Sequence, residues 1–258
     1  MIVWVASYPR AGNRLCRTIL RRAFGATVAS AAREDTLRRD LSELLGSLGV
    51  GPQDDPLPAL RELEEPVFLK THSLPQHVHR IPAKSDGGPQ PPAQDVIPPD
   101  AEESRALYLV RDGRDSLLSF AHYVKEVAKR ARYRDMGFEE IVADLMRRPY
   151  PYGGWSGNVG AWRRRSAPTV LIRFEDLIQD PVARVAAAAG GLGIDLPEPQ
   201  GPAPTIDEMR AGAKRREKPE LVRGGRTGSW RSDFPASLLD EFWERHGREM
   251  EALGYPRA

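Results

Sequence analysis

The sequence predicts an α/β fold, a single domain with a central parallel sheet flanked by helices. Three observations carry that prediction. Four short apolar runs, beginning at Ile2, Val67, Ala106 and Thr169, are rich in β-branched residues and break off into polar groups, as strands covered on both faces do. Helical periodicity follows the first and third of them, which is the alternation expected of a parallel sheet with crossover helices. The 258 residues, 40% of them hydrophobic, supply one substantial core, so residues 1–258 read as one domain.

The first element, Ile2 to Val5, runs into Ser7, Tyr8, Pro9, Ala11 and Gly12, and from Asn13 the apolar positions Cys16, Ile19, Leu20, Ala23 and Phe24 recur at helical spacing. A strand that passes through a small-residue loop into a helix gathers backbone N–H groups and the positive helix end around an anion. Set against the nucleotide-triphosphate pattern G-x-x-x-x-G-K-[ST], Gly12 matches the second glycine, Ser7 stands at the first, Asn13 at the lysine and Arg14 at the Mg²⁺-holding hydroxyl. An arginine does not ligate Mg²⁺, so this loop is expected to hold an anionic nucleotide without a metal.

Composition narrows the classes. A net charge of +2 does not suit a general nucleic-acid binder, and a single cysteine, Cys16, excludes an internal disulfide. No apolar run is long enough to span a membrane, and the chain enters a strand at once, so a cytoplasmic protein is expected. Residues 25 to 66 read as mostly helical, with a leucine stripe from Thr36 to Leu48, and Gly51, Pro52, Pro56 and Pro58 then break the chain.

The second strand ends in Lys70, Thr71 and His72. Ligands of open α/β sheets gather outside the carboxyl ends of the strands, so His72 is the leading general-base candidate for an acceptor hydroxyl. His77 and His79 follow without a recognised metal-ligand pattern, and no metal is expected. The proline and glycine density of residues 82–100 argues against a packed element, so a flexible loop is expected there, with a lid over the acceptor as its functional reading.

The third strand hands over through Arg111, Asp112, Gly113, Arg114 and Asp115 to a helix that carries Ser119. Arg111 offers a bidentate fork and Ser119 a hydroxyl to a phosphate, unless the run is simply a helix start with alternating ion pairs. Trp155, Val159 and Trp162 recur at helical spacing and suit either core or an acceptor wall. The fourth strand ends in Phe174, Glu175 and Asp176, and the carboxylates there suit helix capping better than acid–base work. Between Lys214 and Arg231, arginines and lysines alternate with glycines, which suits the wrapping of one compact anion.

Taken together, these segments resemble, in order and along nearly the whole chain, the sulfotransferases that use 3′-phosphoadenosine-5′-phosphosulfate (PAPS). SYPRAGNR is similar to the family's phosphosulfate loop SYPKSGTTW, KTHSLP to K-T-H-L-P, YLVRDGRDSLLSF to the 3′-phosphate motif, RFEDL to K-Y-E-D-L, and LVRGGRTGSWRSDF to R-K-G-x-x-G-D-W-K-x-x-F. The resemblance implies a P-loop-like 5′-phosphosulfate loop and a sulfonate transfer from PAPS to a hydroxyl of a small-molecule acceptor, leaving adenosine 3′,5′-bisphosphate (PAP). It gives catalytic roles to His72 as base, Lys70 at the sulfonate and Arg10 in place of the loop lysine. It assigns cofactor contacts to Arg10, Ala11, Gly12, Asn13, Arg14, Leu15, Arg111, Ser119, Phe174, Ile206, Arg223, Gly224 and Gly225, with Gly224 standing where the family has lysine.

Asn158 replaces the histidine of G-x-W-x-x-H-V-x-x-W, and Pro235–Ala236 interrupts the dimerising K-x-x-x-T-V-x-x-x-E pattern, so that dimer is not expected. The S-Y-P-[KR]-A-G-N form of the loop is similar to bacterial enzymes that sulfate natural products. Two other classes are weighed against this one: a metal-dependent P-loop kinase, which lacks its Lys-Ser/Thr pair here, and a noncatalytic nucleotide- or RNA-binding protein.

Overall fold

A computed structural model describes residues 1–30, 41–50, 54, 56–76, 79–81, 94–96, 104–128, 130–149, 151–203, 205, 207–209, 211 and 225–257. Its centre is β1 (Ile2–Ser7), buried along its whole length. The period of two divides it between two cores. Ile2, Trp4 and Ala6 join the larger one with Val110, Trp155 and Phe242, while Val3 and Val5 join the other with Ile19, Leu20 and Phe174.

Four further strands lie parallel to it: β2 (Thr27–Ser30), β3 (Val67–Thr71), β6 (Arg105–Val110) and β7 (Thr169–Arg173), in the spatial order β2-β3-β1-β6-β7. The four predicted strands are all present in this open parallel sheet. The fifth corrects the expectation of a mostly helical stretch after residue 25: Thr27–Ser30 is too short to show a period and pairs only along β3.

Register decides where the chemistry sits. Ala6 of β1 lies beside Thr71 of β3, and Ser7 beside Leu109 of β6, so three strands end at one level and one edge of the sheet. The loops that leave them carry Arg10, His72 and Arg111.

Helices cover both faces. α1 (Asn13–Ala23) packs with α8 (Pro181–Gly190) over the smaller core, and α2 (Leu41–Ser47) and α3 (Pro56–Glu62) lie by the β2 edge. Pro56 and Pro58 do not break the chain there. They sit in the first turn of α3, where proline's missing N–H has no intrahelical partner to lose. The short α7 (Phe174–Leu177) follows β7 and packs on α8 over the smaller core, and the opposite face carries α4 (Gly113–His122), α5 (Phe138–Arg147), α6 (Gly154–Arg163) and α10 (Leu239–Ala252), with α9 (Trp230–Asp233) against α4.

The stretch expected to lack any element contains one. β5 (Gln94–Val96) pairs antiparallel with β4 (His79–Ile81); residues 82–93 and 97–100 lie outside the described set. Backbone pairing overrides composition there. Among the described residues, no helix is long and apolar enough to cross a membrane.

Candidate active site

The loop after β1 turns sharply, with Arg10 at φ 71° and Gly12 at φ 98°. Both lie in the left-handed region, which Gly12 adopts without cost and Arg10 does not. A Cβ on Gly12 would come within 2.6 Å of the Phe174 ring, so the glycine also admits a close neighbour. The first α1 bond runs from Cys16 N–H to the Gly12 carbonyl at 3.1 Å, which leaves the amides of Asn13 to Leu15 at the open end of the helix.

The side chains of these loop residues are engaged in the protein. Asn13 Nδ2 donates to the Val5 carbonyl at 2.7 Å and Arg17 Nε donates to Asn13 Oδ1 at 2.8 Å. Leu15 and Ala11 are core residues. Asn13, Leu15 and Ala11 therefore have only backbone to offer an anion, a narrower role than side-chain contact. Cys16 is buried and its thiol is pushed up to about 12 by desolvation, which removes it as a nucleophile.

Arg10, Arg111 and Ser119 come together. Arg10 Nε donates to Ser119 Oγ at 3.1 Å, its guanidinium lies 5.3 Å from the Tyr123 ring, and Arg111 Nη1 donates to the Arg10 carbonyl at 3.3 Å. The loop after β1 is thus tied to both ends of the β6–α4 segment.

Arg111 is buried, and desolvation lowers its pKa while the carboxylates of Asp115, Glu175 and Asp112 oppose the shift. Its Nη2 donates to the Arg226 carbonyl at 2.8 Å, it stacks 4.7 Å above Phe174, and its Nε has no hydrogen-bond partner among the described residues. A buried guanidinium with an unused donor beside a loop of outward amides fits a phosphate. Phe174 is buried between Gly12 and Arg111, where its ring supports the arginine.

The charged run after β6 is a set of braces that alternation of sign alone did not reveal. Asp115, 1% exposed, accepts from Gly228 N–H at 2.7 Å, Ser229 Oγ at 2.8 Å and Trp230 N–H at 2.9 Å, with Arg111 Nη2 at 3.8 Å. It anchors the end of the basic glycine-rich loop, where Gly225 is half-buried. Ile206, Arg223 and Gly224 lie outside the described residues. Arg114 is fully buried, 3.2 Å from the Trp230 ring, and donates to Asp112, Pro256 and Arg257. Glu175 accepts from Asp112 N–H at 3.1 Å and from the Tyr255 hydroxyl at 2.8 Å.

His72 sits one residue past β3, with Lys70 half-buried two positions earlier. Its Nδ1 lies 2.8 Å from the Ser7 carbonyl, an oxygen that can only accept, and 3.2 Å from Ser7 Oγ. The proton therefore sits on Nδ1, which leaves the basic lone pair on Nε2. Ser7 is a site residue that the sequence reading used only as an alignment position. Rings gather on this side: Tyr152 edge-on to His72 at 6.0 Å, and Phe120 within 6.1 Å of Tyr152 and 6.0 Å of Tyr8.

One helix braces all of this. From α6, Trp155 Nε1 donates to the Arg111 carbonyl at 3.2 Å, Asn158 Nδ2 to the His72 carbonyl at 3.0 Å and Trp162 Nε1 to the Ser73 carbonyl at 3.0 Å. Both tryptophans are core residues whose indole N–H groups hold strand ends. Among the described residues, no group of three or more His, Cys, Asp and Glu could hold a metal ion.

Residues 94–254, more than half of the chain, match the model of the sulfotransferase domain. The chain belongs to the PAPS-dependent sulfotransferase family. It is 22% identical over 270 residues to rat sulfotransferase 1 family member D1, covering 96% of this chain and 83% of that protein. It is 23% identical to mouse sulfotransferase 1A1 over 277 residues, covering 98% and 86%. Among solved structures, mouse sulfotransferase SULT7A1 complexed with PAP superposes with a TM-score of 0.64 at 16% identity, covering 97% of this chain and 86% of that one. Retinol dehydratase in complex with androsterone and PAP gives a TM-score of 0.60 at 16% identity, covering 97% and 80%. These solved neighbours share the sulfotransferase's open parallel sheet.

Proposed function

We propose that this sulfotransferase moves a sulfonate from PAPS to a hydroxyl of a small-molecule acceptor, with His72 as general base and without a metal. The observation that carries this reading is the convergence of three strand-end loops. They bring a buried, partly unsatisfied Arg111 and the amide-lined turn of Arg10 and Gly12 to the same sheet edge as an imidazole fixed by Ser7.

In the proposed reaction His72 Nε2 accepts the proton of the acceptor hydroxyl while that oxygen forms a bond to sulfur. The bond from sulfur to the 5′-phosphate oxygen breaks, and PAP departs with its electron pair. Lys70, Arg10 and the first-turn amides of α1 stabilise charge on the sulfonate and the departing phosphate. A guanidinium stays protonated, so Arg10 contributes charge and hydrogen bonds and transfers no proton. Arg111 and Ser119, with Arg223, Gly224 and Gly225, take the 3′-phosphate; Ile206 walls the adenine, and Arg14 lies at the 5′ end. The rings of Tyr8, Phe120, Tyr123 and Tyr152 suit an apolar or aromatic acceptor such as a natural product. Retinol dehydratase, whose structures contain retinol or androsterone, offers a parallel.

His72→Ala tests the reading: turnover of labelled PAPS falls about 10²-fold or more while PAP binding by calorimetry stays near wild type. Retained turnover removes His72 from the mechanism. Turnover that disappears in EDTA and returns with Mg²⁺ overturns the metal-free part of the reading.

A further inference from the structure

We infer that Asn158 is a positioning residue that sets the acceptor wall in register with the base. Asn158 is completely buried in α6, in a layer otherwise made of Trp155, Val159 and Trp162. A primary amide is placed there at the cost of desolvation unless its donors and acceptor are used. They are used. One Nδ2 group donates to two carbonyls, that of His72 at 3.0 Å and that of Tyr152 at 2.8 Å, and Oδ1 accepts from the Tyr108 hydroxyl at 2.9 Å.

The two carbonyls belong to different parts of the site. His72 carries the base, and Tyr152 carries the ring that faces it edge-on at 6.0 Å. The same two segments press together just beyond these residues, one past Tyr152 and two past His72. Gly153 sits at φ +85°, where a Cβ would come within 2.7 Å of Leu74 Cδ2, so there is no slack for the turn to slide past the base strand. The two carbonyls fix which way the amide faces: they can only accept, so the NH₂ end must point at His72 and Tyr152, and Oδ1 is left to accept from the Tyr108 hydroxyl. Tyr108 is itself clamped by stacking on Trp162 at 5.8 Å, and Trp162 holds the next carbonyl, that of Ser73.

The amide is therefore a spacer between wall and base. It does not touch the cradle around Arg10 and Arg111, so its loss should act on acceptor turnover and not on nucleotide affinity. This inference rests on His72 being the base, and the His72→Ala variant keeps the two apart. If His72→Ala is active, the function reading falls; if His72→Ala is inactive while Asn158 variants behave as wild type, only the present inference falls.

The test compares Asn158→Leu and Tyr108→Phe with wild type in steady-state acceptor kinetics, with PAP affinity and circular dichroism as controls. The expected result for Asn158→Leu is a fall of about tenfold or more in kcat with a raised acceptor KM, and PAP affinity within about twofold of wild type. Tyr108→Phe keeps the ring and loses only the hydroxyl that satisfies Oδ1, so the amide is held less firmly and kcat shifts in the same direction by less. Should Asn158→Leu fail to fold, Tyr108→Phe decides. Unchanged acceptor kinetics in either folded variant overturns the inference, as does a loss of PAP affinity equal to the loss of turnover.

Discussion

The two sides of the site are built from different materials. The cradle side is a lattice of buried charge. Arg111, Asp115, Asp112, Arg114 and Glu175 bond to one another, to the loop that ends at Trp230 and to the carboxy-terminal segment. The side around His72 is a stack of rings registered by a single amide. Charge lattices tolerate no missing member, because each loss strands a partner in low dielectric, whereas aromatic walls lose contact area gradually.

The largest break is expected at Asp115. Asp115→Ala removes three donors' acceptor and strands Arg111, so stability falls by about 3–5 kcal/mol and PAP binding falls with it. Thermal melts with and without PAP measure both.

Acid acts on a different group. His246 is buried against Trp155 and Phe242, with Nδ1 2.8 Å from Ser156 Oγ, and desolvation lowers its pKa to about 4 from 6.5. The folded state favours neutral imidazole, so the unfolded chain binds the proton first. Stability is full above pH 6.5 and declines as pH falls toward 4, by about 3 kcal/mol over the window. Melting temperature against pH should show that limb, and His246→Phe should flatten it.

Two smaller changes sharpen the contrast. Arg111→Lys keeps the charge but loses the fork, weakening PAP by about 1.5–3 kcal/mol in calorimetry without altering acceptor preference. Tyr152→Ala should do the reverse, raising acceptor KM roughly two- to tenfold while PAP affinity holds.

The cradle was more legible in the sequence than its supports. A run such as Ile2 to Val5 followed by SYPRAGN announces a strand, a turn and a helix because each signal is local. The same locality exposed His72 and Arg111, which simply follow their strands. β2 was missed because four residues with no alternation become a strand only by pairing with β3. The roles of Asn158, Trp155 and Trp162 were invisible for a related reason: their partners lie 86, 44 and 89 residues away, and nothing at those distances leaves a local pattern. The support that Phe174 gives Arg111 was equally hidden, because Gly12 and Arg111 reach its ring from distant segments.

Arg114 carries a consequence for how the enzyme comes into being. Its guanidinium is completed by backbone oxygens 142 and 143 residues downstream, at Pro256 and Arg257. On the ribosome, the sheet can close once β7 has emerged, yet the brace next to Arg111 must wait for the segment that carries Pro256 and Arg257. A chain cut short between β7 and Pro256 would hold its strands and still leave the Arg114 guanidinium without its last two acceptors.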